Sequence, residues 1–135
     1  MHTFFVFILV SVLIAVSSLA SASPCVGVDR QLDKKHKVAL GKVIAKRLQA
    51  KKLTVLQSFR LDNWSIIYVA SHEADEAFLF FAGDPLINDF ITSWSGGAAS
   101  GEEEEIKNWV IKNAKGIPYG LASCFAWHVT KGRDM

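Results

Sequence analysis

The sequence predicts an α+β fold: an N-terminal helix, a four-stranded antiparallel meander sheet and two C-terminal helices. Three observations carry that expectation. Leu40, Val43, Ile44 and Leu48 recur at helical spacing through a lysine-rich segment. Four short runs of β-branched and aromatic residues follow, separated by brief polar turns. After the flexible stretch Ser95-Gly-Gly-Ala-Ala-Ser-Gly101, the apolar spacing returns to that of helices.

In chain order, the first feature is an apolar run from Phe4 to Leu19 followed by Ala20-Ser-Ala22. A short apolar region ending in A-x-A predicts a secretory signal peptide over residues 1–22, although Met1-His2-Thr3 lacks the usual Lys or Arg. A retained anchor would need roughly 20 apolar residues, and this run is shorter. Pro24 stands where a lipoprotein needs a small residue before its cysteine. The expected location is therefore the periplasm or the extracellular space. Residues 23–135 are then long enough for a single α+β domain with one core. The only cysteines, Cys25 and Cys124, become natural disulfide partners in an oxidising space. They lack the C-x-x-C spacing of a redox pair.

The formal charge of +2 hides a division along the chain. Residues 29–52 hold nine Lys or Arg against Asp29 and Asp33, whereas the remainder of the domain is net acidic. The basic stretch predicts an amphipathic helix with Asp29 or Asp33 as N-cap and lysines crowding its negative pole. Strands are expected over Thr54–Leu61, with Val55, Gln57, Phe59 and Leu61 on one side, and over Trp64–Ala70 after an Asp62-Asn63 turn. A third is expected over Ala77–Phe81 and a fourth over Ile87–Trp94. The third is apolar on both faces, so it needs a central position or cover on both sides. Ser100 is a candidate cap for a helix opening on Glu102-Glu-Glu-Glu105, and Pro118 suits the start of a last helix running to about Lys131. The expected arrangement lays all the helices on one face of the sheet. The helix-then-four-strand order is similar to that of cystatin-type folds; none of that group's binding motifs is matched, and nothing is carried over from it.

No stretch carries a complete catalytic, metal or nucleotide motif. His72-Glu73-Ala74-Asp75-Glu76 is the densest set of ligand-type side chains, and Asp84 and Asp89 would join it if adjacent turns share one end of the sheet. It matches neither H-E-x-x-H nor a calcium loop. Ser93-Trp94-Ser95-Gly96-Gly97 lacks the first glycine of a nucleophile elbow and the lysine of a phosphate loop. Three histidines follow the leader: His36, His72 and His128. His128 falls on the apolar face of the last helix, where a buried ring with a hydrogen-bond partner is expected. No cofactor or metal is expected.

Two features suit binding. The basic helix within residues 30–52, with Lys34, Lys35, Lys42 and Lys46, could meet an acidic protein or an anionic envelope surface. Trp64 beside a hairpin turn and Trp94 beside the glycine-rich stretch are candidate contact aromatics. The basic face lacks interleaved aromatics, so no nucleic-acid ligand is expected. Asn63-Trp64-Ser65 fits the N-glycosylation sequon. The leading expectation is an exported, non-enzymatic binding protein, such as a hydrolase inhibitor or a toxin-immunity protein, with another protein as partner. The rivals are a small exported enzyme using His72 or His128, and a surface binder using the basic helix.

Overall fold

The computed structural model describes residues 23–133; the leader expected over residues 1–22 lies outside them. Its order is α1 (Lys34–Leu48), β1 (Thr54–Leu61), β2 (Trp64–Ala70), β3 (Ala77–Ala82), β4 (Thr92–Ser95), a 3₁₀ turn (Ser100–Glu102), α2 (Glu103–Asn113) and α3 (Tyr119–Lys131). The strands form an antiparallel sheet in the order β1-β2-β3-β4. This is the α+β meander that the residue pattern predicts.

Local chemistry fixes the element ends. Asp33 caps α1, its carboxylate accepting the His36 N–H at 2.8 Å. Asp62, with φ 53°, supplies the positive-φ residue of the two-residue turn joining β1 to β2. Gly116, with φ 92°, turns the chain out of α2. The carbonyl of Pro118 accepts the Leu121 and Ala122 N–H groups that open α3.

The helices lie on both faces of the sheet, not one. Phe59, Ile66, Phe78 and Phe80 face α2 and α3, packing with Val110, Leu121, Phe125 and Val129. On the opposite face Val55, Ile67, Val69, Leu79 and Phe81 pack against Leu40 and Ile44 of α1. The cause is the doubly apolar interior strands. Val69, Leu79 and Phe81 would be left bare by a single helical layer, and at roughly 1.5–3 kcal/mol per large side chain that face requires cover.

Three further expectations change. Val55 does not share a face with Phe59, because a β-bulge between Val55 and Gln57 reverses the alternation and turns Val55 toward α1. The fourth strand begins at Thr92 rather than Ile87. Asp84 consumes the preceding residues in a turn, its carboxylate accepting the Leu86 N–H and its carbonyl those of Ile87 and Asn88. Ser100 does not cap α2; Glu102 reaches back to accept the Ala99 N–H at 2.7 Å.

Cys25 and Cys124 are joined by a disulfide, with their Cα atoms 4.5 Å apart. Cys25 thereby packs in the α2/α3 layer. The chain then passes along the outer edge of β1, where Asp29 and Arg60 exchange both backbone hydrogen bonds at 2.8 Å, and enters α1 on the other face. Residues 25–33 therefore strap the rim of the sheet and link its two helical layers. No helix among the described residues is long and apolar enough to cross a membrane.

Candidate functional site

A concavity of about 510 Å³ lies between α1 and the start of β1. It is an open groove. Val38, Gly41 and Ala45 line it from the helix, and Leu53, Thr54 and Val55 from the sheet edge. Lys34, Lys37 and Lys42 stand around it.

Gly41 is the one residue of this lining without a side chain. Glycine inside a helix costs about 1 kcal/mol relative to alanine. A Cβ at Gly41 would lie 3.6 Å from the Leu53 carbonyl oxygen and 3.9 Å from a Val55 methyl, which is ordinary contact. Packing therefore does not demand glycine here. What its bare backbone leaves is room between helix and strand.

The groove carries unbalanced positive charge. Among the described residues the ion pairs are Asp29–Arg60, Glu104–Lys107 and Glu103–Lys131, and none involves a lysine of α1. Lys34, Lys37 and Lys42 are exposed. The exposed side of this helix is thus an unneutralised cationic surface next to half-exposed Val38.

β1 is an edge strand, and its rim is partly occupied. Beyond the Asp29–Arg60 pair, the Arg30 Nε donates to the Ser58 carbonyl at 3.3 Å. The Asp29 carboxyl is held below its usual range, first by the Gln31 N–H and then by the Arg60 guanidinium. The groove opens farther along the same rim, where the strap has left the sheet and Thr54 and Leu56 are exposed.

The residues singled out from sequence fall in different places. Lys34 and Lys42 line the groove; Lys35 and Lys46 are exposed on α1 but do not line it. Trp64 and Trp94 lie in the opposite layer, both half-buried against the α2/α3 core. Trp94 packs edge-on to Phe125, with ring centroids 5.6 Å apart, and the Arg133 guanidinium stands 5.8 Å from its ring centre. With Trp109, Glu102 and Glu105 it lines a smaller cleft of about 270 Å³. Lysines and tryptophans thus do not form one surface. Asn63 is exposed at the hairpin tip.

The ligand-type cluster also disperses. The loop holding His72 and Asp75 follows β2, whereas Asp84 follows β3, and antiparallel pairing places those loops at opposite ends of the sheet. His72 exchanges a hydrogen bond with the Thr54 hydroxyl, Nε2 to Oγ1, at 3.2 Å. Among the described residues no three of His, Cys, Asp or Glu are grouped to hold a metal ion.

His128 is 1% exposed, and neither ring nitrogen has a hydrogen-bond partner. The expected partner is missing because apolar rings surround the imidazole: Phe59 edge-on at 4.9 Å and Phe78 at 6.2 Å. Burial, and then the nearby Arg30 and Arg133 charges, push its pKa down to about 4.

Sequence reasoning passed over Lys37, Val38, Gly41 and Val55 as site residues. A signal was present for two of them, Val38 and Gly41. Lys34, Val38, Gly41 and Ala45 follow one another at i, i+4, i+7 and i+11, a helix face ending in small residues. Val55 was hidden by the bulge. Comparison with protein-family models, curated proteins and solved structures finds no match for the chain.

Proposed function

We propose that this chain is an exported, non-enzymatic binding protein that grips another macromolecule through the groove between α1 and β1. The observation that carries the reading is a cationic, apolar-floored groove whose lysines have no acidic partner within the described residues. The long-range disulfide supports export, since such bonds persist in oxidising compartments. A small domain closed by a disulfide and holding a preformed contact surface suits a hydrolase inhibitor or a toxin-immunity protein, because rigidity lowers the entropy lost on association.

Site-specific photocrosslinking in the native compartment tests this. A crosslinker at Val38 should capture a discrete macromolecular partner, whereas one at Ile111, exposed on α2 in the other layer, should not. Equal capture from both positions, or none from Val38, would refute the groove as the contact surface.

A second reading draws on Lys35 and Lys46, which extend the positive surface of α1 outside the groove. They suit docking on an anionic envelope. Such binding should vanish at about 0.5 M salt, where the Debye length falls to a few ångströms.

A further inference from the structure

We infer that the partner presents an extended acidic segment, with an apolar side chain seated over Gly41 and carboxylates reaching Lys34, Lys37 and Lys42. This rests on the binding reading above and names the chemistry of what binds.

Three observations converge on that ligand. The floor is apolar and shaped by an absent side chain: Val38, Gly41, Ala45, Leu53 and Val55 leave a depression that an aliphatic residue fits. Around it stand three exposed lysines without a counter-charge among the described residues. An occupant therefore needs negative charge on both sides of an apolar centre.

The third observation concerns backbone shape. The same strand rim already carries one acidic residue of this chain in extended pairing. Asp29 exchanges both main-chain hydrogen bonds with Arg60 while its carboxylate meets the Arg60 guanidinium. The strap then leaves the rim, and α1 begins at Lys34 beside the groove. The rim thus accepts an acidic extended strand where it is covered, and farther along it stands beside the cationic groove. The exposed Thr54 lies on this rim within the groove lining, in reach of a main chain laid along it. The β-bulge at Leu56 interrupts regular pairing, so the contact is a short one, anchored by side chains rather than by a long added strand.

The test uses the oxidised protein and a fluorescent, end-blocked peptide of about eight alternating Glu and Leu residues, with anisotropy as readout. Saturable micromolar binding is expected, with none for the same peptide carrying Lys in place of Glu. Gly41→Leu fills the depression and should abolish binding while the circular dichroism spectrum stays that of the folded protein, and Gly41→Ala, whose Cβ meets only ordinary contacts, should weaken binding without lowering Tm. Reversing Lys34, Lys37 and Lys42 to Glu should weaken binding by about tenfold or more, as several modest ion pairs are lost together. Binding unchanged in Gly41→Leu, equal binding of the Lys peptide, or binding to anionic phospholipid vesicles without binding to the peptide would each overturn the inference. Continued capture from Val38 alongside a silent acidic peptide would overturn the partner's chemistry and leave the groove reading standing. Loss of both would remove both.

Discussion

Acidification should destabilise this protein through one side chain, His128. Its imidazole is buried without a hydrogen-bond partner, and its pKa is pushed down from 6.5 to about 4. In the unfolded chain the ring titrates near 6.5. Between pH 6.5 and pH 4 the unfolded chain therefore takes up a proton that the fold refuses. The folded pKa is the lower one, so the stabilisation is fully present above pH 6.5 and is lost as the pH falls toward 4. The difference corresponds to about 3 kcal/mol. This is an upper limit, because a charged ring that draws in water recovers part of its hydration. Against a typical stability of roughly 5–15 kcal/mol, it is a large share. Carboxylates also titrate in this range, so wild type should be compared with His128→Phe by urea denaturation from pH 7.5 to 4. Phenylalanine keeps an aromatic ring against Phe59 and Phe78 and carries no nitrogen to leave unpaired. At neutral pH it should be neutral or stabilising. The gap between the two proteins should widen steadily as the pH drops. Parallel stability curves, or a His128 NMR titration near pH 6.5, would refute the reasoning.

Gly41→Ala should raise stability by about 0.5–1 kcal/mol, visible as a higher Tm, because the new Cβ meets only ordinary contacts. Replacing Cys25 and Cys124 together by Ser should cost roughly 4–5 kcal/mol by the chain-entropy model for a loop of about 100 residues; denaturant midpoints check this. Asp33→Ala removes the acceptor of the His36 N–H and should cost about 1 kcal/mol, seen in the same unfolding measurement.

The element order was readable because its signals are local. Asp33 at the start of α1, the Asp62-Asn63 hairpin and the glycine after α2 each act within a few residues of themselves. The Cys25–Cys124 pairing was readable for a different reason: two cysteines leave one intramolecular choice. What local pattern could not carry was the layer each helix occupies. Leu40 and Ile44 advertise an apolar stripe but not the sheet face it covers. The doubly apolar third strand held the clue, since Leu79 and Phe81 need cover opposite Phe78 and Phe80. The bulge defeated a strict period-2 reading of β1 and moved Val55 into the groove. The candidate site suffered most, because it is built between elements. Lys34 and Lys42 could be named from charge alone, whereas the depression over Gly41 appears only when helix and strand meet.

The wrap of residues 25–33 around the sheet has a consequence for copies whose two thiols stay reduced. With the sulfur–sulfur link unmade, the N-terminal end of that ribbon has no covalent tie to α3, and its release would bare the stretch of β1 around Ser58 and Arg60 that it now covers. An uncovered margin of this kind recruits identical margins from neighbouring molecules. Thiol-form protein should therefore clump, and the bond between Cys25 and Cys124 would be what keeps each copy separate.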